Sequence, residues 1–440
     1  MDFPAAVSYI QSFSDLERGV QHSADPTMSL DSVRSLLERL GNPQAGRHTV
    51  HVTGSKGKGS TAAMVDGVLR QAGLRSALFG SPHLHSYTER IALDGLAVGE
   101  GEFAAAVAAI QSAVDAEARE AGGSVSTFGI LTALFFWLVR AQVPAVDWQV
   151  VEVGLGGTFD ATNVFAAPDV SVITPISLEH TAILGDTVLD IASDKAGIIK
   201  SGSVCVLARQ DDSGVIDVVR RRCENVGAEC VYVPDRYSVD VTERHVYGQG
   251  FVIEGEGHRR DLRSPMLGRH QAENAATAVA VADVLSRKGV TIAEGAISQG
   301  IALTRLRGRL EVMGTAPTVV ADGAHNGASA EALAQALRDY FQWNRCFFVL
   351  GCTRDKDVRE IDMRLAGLAE MFVCCGFANP RAADPGVMVQ EVGFLGPVAV
   401  AEATVADAIR TALGHARADD IVCVTGSLYV AAEAREYVLA

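Results

Sequence analysis

The chain has 440 residues, of which 48% are hydrophobic and 21% charged, and a formal net charge of -15. That length holds two or three domains with sizeable cores, and the composition excludes a disordered chain. The acidic balance argues against a nucleic-acid partner, so any anionic ligand must be held by local positive groups.

The first strand-like run is His48–Thr53, followed by Gly54-Ser55-Lys56-Gly57-Lys58-Gly59-Ser60-Thr61 and then a helical pattern over Gly59–Ala72. A strand, a glycine-rich turn and a helix form the setting in which backbone N–H groups bind phosphate. The glycines turn tightly, the helix N-terminus adds partial positive charge, and Lys58 adds a full one. Ser60 or Thr61 can offer a hydroxyl to Mg²⁺. The spacing Gly-x-x-Gly-Lys-Gly-Ser is a variant of the usual phosphate loop. The stretch reads as a nucleoside-triphosphate site.

Further strands are expected at Ser76–Gly80, Trp148–Val153, Val170–Thr174 and Ser203–Ala208. Helices are expected at Glu102–Glu120, Thr127–Ala141 and Val188–Ile199. This alternation predicts βαβ units and a mostly parallel sheet flanked by helices. Residues 229–264 are short, polar and β-rich, which suggests an antiparallel excursion before a long helix over Gln271–Lys288. The rhythm then restarts, with strands expected at Val319–Asp322, Phe347–Leu350, Met371–Cys375, Val398–Ala401 and Ile421–Thr425. The expected division is an ATP-binding domain over 1–303, a linker over 304–312 and a Rossmann-like α/β domain over 313–440.

The longest apolar run, Gly129 to Val139, is too short to span a bilayer. Met1-Asp2-Phe3-Pro4 lacks the start of a secretory leader, so a cytoplasmic protein without a membrane partner is expected. The eight cysteines show no C-x-x-C spacing and lie mostly in apolar runs, which favours buried reduced thiols over a metal or disulfide set.

Several strand ends carry chemistry. Glu152 ends an apolar strand ahead of Gly154-Leu-Gly156-Gly157, and there it either holds Mg²⁺ or is a partnered surface carboxylate. His180, after Val170–Thr174, is a ligand or acid/base candidate or a hydrogen-bonding loop residue. Lys195 reads as a salt bridge or phosphate contact. Asp322-Gly323-Ala324-His325-Asn326 is a weak motif by itself, because Asp-Gly commonly marks a turn.

In order along nearly the whole chain, these segments resemble the folylpolyglutamate synthase/dihydrofolate synthase family of the Mur ligase superfamily. The resemblance runs through Tyr9-Ile-Gln-Ser…Leu16-Glu-Arg-Gly, Gly54–Ser60, Ser81-Pro82-His83-Leu84 and Glu152-Val-Gly-Leu-Gly-Gly. It continues through Glu179-His180-Thr181, Lys195-Ala-Gly-Ile198, Gly268-Arg-His270-Gln271-Ala-Glu-Asn274, Gly308-Arg309-Leu-Glu311, Asp322–Asn326, Asp355-Lys356-Asp357 and Val424–Tyr429.

The resemblance implies an ATP-dependent, ADP-forming ligase that joins L-glutamate to a pteroate or folate carboxylate; with no oligomerisation segment visible in the sequence, a monomer is the default expectation. It implies Ser81, Glu152 and His180 as Mg²⁺ ligands, Lys58 as the phosphate lysine, and Lys195 as a carbamylated lysine. A monovalent cation is a further candidate cofactor. Gln271 and Asn274 resemble adenine-side contacts, Arg309 and Asp322 groups that close over ATP, and His325 a residue near the acyl phosphate. Departures from the family pattern are Gly80, Gly129, Thr158, Glu179 and Gly327. Gly129 and Thr158 bear on the acceptor, which leaves a Mur-type ligase with another carboxylate acceptor as the alternative. A nucleotide-binding module without catalysis has no use for Lys58, Glu152, His180, Lys195 and His325 together.

Overall fold

The computed structural model describes residues 1–15, 26–120, 125–392 and 396–440, with the side chains of 26–29 left out. The family-like leader residues Leu16–Gly19 therefore lie outside the described residues. The chain divides into two compact units. One comprises Met1–Asp240, Phe251–Leu262 and Gln271–Thr304; the other comprises Val241–Gly250, Arg263–His270 and Arg305–Ala440.

The first unit is built on β1 (His48–Thr53), β2 (Ser76–Phe79), β3 (Ile91–Leu93), β4 (Leu96–Ala97), β5 (Trp148–Glu152), β6 (Val170–Ile173), β7 (Val204–Leu207) and β8 (Glu229–Tyr232). They form one eight-stranded sheet in the order β4-β3-β2-β5-β1-β6-β7-β8. From β2 to β8 the pairings are parallel. Residues of β5, β6 and β7 are buried throughout, as expected of strands covered on both faces. On one face Phe79, Phe103, Phe135 and Phe136 pack with the helices Phe3–Gln11, Glu100–Glu120 and Thr127–Ala141.

The edge hairpin β3–β4 was not anticipated from the sequence. Its strands are short and half-exposed, and the readable signal is the Asp94-Gly95 turn, where both residues have positive φ (49° and 82°). The antiparallel excursion is present as β9 (Tyr237–His245), β10 (Gly248–Gly255) and β11 (His258–Ser264), in the order β11-β10-β9. Its beginning differs from expectation, because Glu229–Tyr232 joins the main sheet beside β7. The helix after it runs from Arg269 to Arg287.

The second unit contains β12 (Glu311–Thr315), β13 (Thr318–Ala321), β14 (Cys346–Leu350), β15 (Ala369–Cys375), β16 (Val398–Glu402) and β17 (Ile421–Thr425), in the order β12-β13-β17-β14-β15-β16. All pairings are parallel except that of β12 with β13. Both faces carry apolar clusters, one around Phe348 and Phe372, the other around Phe347 and Val373. Among the described residues no helix is long and apolar enough to cross a membrane.

Candidate active site

In the first unit the carboxyl ends of β1, β5 and β6 lie side by side, with Val52 paired to Glu152 and Thr53 to Ile173. The chain runs from β1 to β2 on one side and later from β5 across to β6 on the other, so the carboxyl ends of these strands lie where the strand order reverses, the kind of place that receives ligands.

The chain leaves β1 through Gly54 (φ 146°) and enters the helix Lys58–Gln71 through Gly57 (φ 81°). A Cβ on Gly54 would stand 1.9 Å from Thr174 Oγ1, and one on Gly57 would stand 2.4 Å from Asn274 Oδ1. Both positions therefore need glycine for conformation and for room. A Cβ on Gly59 would lie 3.4 Å from Glu152 Oε2, so the carboxylate closing β5 sits against the first helical turn.

The loop is anchored to the segment following β6. Ser55 and Lys56 N–H donate to the Pro175 carbonyl at 2.9 and 3.1 Å, and Ser55 Oγ donates to Ser177 O at 3.0 Å. Phosphate contact through those two N–H groups requires the loop to part from Pro175. Ser60 and Thr61 are buried, and Thr61 Oγ1 has no hydrogen-bond partner among the described residues.

Two lysines converge on this loop. Lys58 Nζ donates to Gly54 O at 2.9 Å, and Lys195 Nζ donates to the same oxygen at 3.0 Å. Lys195 is 1% exposed and lies 2.9 Å from Glu179 Oε1. Burial, then the neighbouring Lys58 charge, lowers the Lys195 pKa, and the Glu179 carboxylate opposes that shift. Burial alone would raise Glu179, but the Lys195 and Lys58 ammoniums hold it well below the usual carboxylate range. A buried lysine and a half-buried carboxylate thus form an ion pair next to a glycine loop.

Glu152 accepts the Ser81 backbone N–H at 3.2 Å, and a Cβ on Gly80 would lie 3.3 Å from Glu152 Oε2. Glycines at 59 and 80 thereby leave space around this carboxylate. His180 takes a left-handed conformation (φ 47°) at the start of Thr181–Leu184, is exposed, and contributes to the field at Glu179. The Ser81 hydroxyl and the Glu152 carboxylate are hard oxygen donors that suit Mg²⁺ with waters completing its shell, whereas the His180 imidazole is a softer nitrogen donor at the rim. Asn274, besides filling the space over Gly57, donates from Nδ2 to Gln271 Oε1 at 3.1 Å. Gly54–Thr61, Ser81, Glu152, Lys195, Asn274 and Gln271 thus form one connected neighbourhood, with His180 next to Glu179 at its rim.

Sequence reasoning did not give Thr174, Pro175 or Glu179 a role at the loop. Their signal was the Thr-Pro at a strand end and the acidic residue before His180.

In the second unit Asp322 follows β13. Its carboxylate accepts the N–H groups of Leu310 at 2.8 Å and Ala324 at 2.9 Å, so it braces the turn that carries Arg309. Burial raises the Asp322 pKa, against the nearby Arg309 charge. His325 Nδ1 lies 2.9 Å from Gly323 O, which sets Nδ1 as the protonated nitrogen of the neutral ring. Asn326 caps the helix Gly327–Tyr340 by accepting from Ser329 N.

The departures from the family pattern have local causes. A Cβ on Gly129 would sit 2.7 Å from Val33 Cγ2, so the helix Thr127–Ala141 meets the helix Pro26–Arg39 there with no room for a side chain. Thr158 Oγ1 donates to Asp194 O at 2.8 Å, which uses its polar group internally. At Gly327 the space a Cβ would fill is taken by the Glu360 side chain.

Two family models match the chain: the Mur ligase middle domain over residues 115–282 and the Mur ligase glutamate ligase domain over residues 308–428. A probable bifunctional folylpolyglutamate synthase/dihydropteroate synthase of Haloferax volcanii is 36% identical over 92% of the chain. The chain spans about half the length of that relative, 48%. The dihydrofolate synthase/folylpolyglutamate synthase of Mycobacterium tuberculosis is 35% identical, over 95% of this chain and 91% of that one. Among solved structures, Mycobacterium tuberculosis folylpolyglutamate synthase complexed with ADP superposes with a TM-score of 0.90 at 33% identity, covering 99% of each chain. Ordered motifs, a glycine loop flanked by two lysines and these full-length likenesses agree: the chain belongs to the folylpolyglutamate synthase/dihydrofolate synthase family of the Mur ligase superfamily.

Proposed function

We propose that this protein is an ATP-dependent, ADP-forming ligase that adds L-glutamate to a pteroate or folate carboxylate. The observation that supports it most is the Gly54–Thr61 loop, with Lys58 and Lys195 on one carbonyl and Glu152 against its helix. A carboxylate is a poor electrophile, so the γ-phosphoryl group of ATP is transferred to it first, and the amine of glutamate then attacks the acyl phosphate. Lys58 neutralises charge on the outer phosphates during the first step. Arg309 and Asp322 are proposed as nucleotide contacts, and His325 as a residue acting on the acyl phosphate.

Ser81, Glu152 and His180 are the residues proposed to hold Mg²⁺, which supplies Lewis-acid stabilisation of phosphate charge when bound. Carbamylation of Lys195 belongs to the same proposal. A desolvated amine with a lowered pKa is the nucleophile that CO₂ requires, and a ¹³C label from ¹³CO₂ on Lys195 tests it. Activation by a monovalent cation is tested by exchanging K⁺ for a bulky organic cation. We further propose a cytoplasmic monomer, with 1–303, 304–312 and 313–440 as ATP-binding domain, linker and ligase domain.

The deciding assay measures ADP release and glutamate incorporation with dihydropteroate, with tetrahydrofolate and with no acceptor. Acceptor-dependent ADP release with a glutamylated product is expected. Turnover with neither pterin would favour a Mur-type ligase for a different carboxylate, a reading supported by Gly129 and Thr158, whose surroundings are committed to packing. ATP binding without turnover under every condition would indicate a binding module.

A further inference from the structure

Cys205, Cys223 and Cys230 are scattered in sequence, yet the fold gathers their sulfurs within 4.8 Å of one another. Cys205 on β7 and Cys230 on β8 are direct partners in the parallel register, so their side chains share one face of the sheet. Cys223 sits in the last turn of the helix Ser213–Val226, whose end is fixed by Gly227 (φ 69°) and by Ala228 N–H donating to Cys223 O at 2.9 Å. That cap brings the chain straight back into β8 and points the helix end at the two strand thiols. Cys205 and Cys223 are 0% and 2% exposed, whereas Cys230 is partly open.

We propose that Cys205, Cys223 and Cys230 form a three-thiolate site for a thiophilic d¹⁰ divalent cation of the zinc type. Three sulfurs at about 2.3 Å from such an ion stand about 3.8–4.0 Å apart, so closing the trio around it needs only a small contraction. A disulfide uses two of the sulfurs and leaves the third unexplained; a metal uses all three. The partly open side at Cys230 leaves a fourth position for water.

The electrostatic setting fits. Hydrogen bonds from the Cys205 and Cys223 thiols, together with Arg220 and Arg236, favour the Cys230 thiolate against the cost of burial. Arg222 acts in the same sense on Cys223, but the Cys230 thiol and burial outweigh it and push Cys223 up to about 12. The two neighbouring thiols and burial also raise Cys205, so both remain thiols until a cation displaces their protons. Three thiolates and a divalent ion carry one net negative charge, which these guanidiniums offset. On loading, each coordinated thiol that is still protonated releases its proton to solvent, and no electron is transferred.

The test uses the full-length, reduced and chelator-treated protein, titrated anaerobically with Cd²⁺ in excess Mg²⁺ and then competed with Zn²⁺. A thiolate-to-cadmium charge-transfer band saturating at one equivalent and removed by Zn²⁺ is expected. Zn²⁺ should also raise the melting temperature of the wild type. Cys230→Ser, at the most open position, should weaken Cd²⁺ binding at least 100-fold and abolish the Zn²⁺-dependent shift. Cys346→Ala, a buried thiol in the other unit, should change neither. A wild-type titration with no thiolate band, or a band of equal strength and affinity in Cys230→Ser, overturns the proposal. Cys223→Ser, checked for folding by circular dichroism, gives an independent second reading.

Discussion

Lys58 and Lys195 donate to the same acceptor, the carbonyl oxygen of Gly54, at 2.9 and 3.0 Å. Two ammoniums at one carbonyl repel each other, and Glu179 offsets this by pairing with Lys195. The loop is thus held before any triphosphate arrives, with Lys58 the more accessible of the two cations. Lys58→Ala should lower kcat for ATP turnover by about 10³ while changing unfolding free energy by less than about 1 kcal/mol. Lys195→Met should be destabilising, by about 1–2 kcal/mol, because it leaves the half-buried Glu179 without its ion-pair partner. Steady-state kinetics and urea unfolding of both variants separate the roles; equal stability losses would contradict this division.

Gly57 and Asn274 form a close steric pair, since a Cβ at 57 meets Asn274 Oδ1 at 2.4 Å. Gly57→Ala is expected to cost about 2–3 kcal/mol, combining the overlap with the left-handed backbone. In an Asn274→Gly background only the backbone term of about 1 kcal/mol should remain. A double-mutant cycle by urea denaturation measures this coupling, and simple additivity would rule out the contact.

Gly129→Glu would place a carboxylate at one of the departures from the family pattern, but Val33 leaves no room for it. The expected result is a loss of about 3 kcal/mol in stability without a gain in activity toward folate. Val33→Ala should recover part of the loss. A stable, more active Gly129→Glu variant would show that the helix Pro26–Arg39 can yield there.

Asp362 is a buried carboxyl whose Oδ1 lacks a hydrogen-bond partner among the described residues, and burial pushes its pKa up from 3.8 to about 6. The native state therefore binds this proton more tightly than the unfolded chain does. Its contribution to stability is greatest below the unfolded pKa and is lost as pH rises through about 6. Between pH 5 and pH 7, Asp362→Asn should gain about 1 kcal/mol relative to wild type. Guanidinium unfolding of both proteins at the two pH values checks it, and a constant difference would mean that Asp362 titrates normally.

Much of the site was readable because its signals are local. The glycine loop lies between β1 and its helix, and Glu152 closes an apolar strand; both patterns are set by a few consecutive residues. The edge strands β3, β4 and β12 were less readable because they are short and only partly buried. Lys195 and Asn274 were legible as nucleotide-site residues, but their contacts with the loop, and Thr174 altogether, were not, since all three stand more than a hundred residues from Gly54 and Gly57.

By itself, the sequence determined the alternation of strands and helices, the glycine loop between β1 and its helix, and the family, all of which follow from local periodicity, turn chemistry and ordered motifs. Only the tertiary structure decided that Asn274 fills the space over Gly57 and that Lys195 shares an oxygen with Lys58. It also decided that Gly129 is a packing glycine and that three cysteines converge. Such contacts depend on which strands become neighbours and in which register. That choice is made by burial of the whole core, and no short window of sequence carries it.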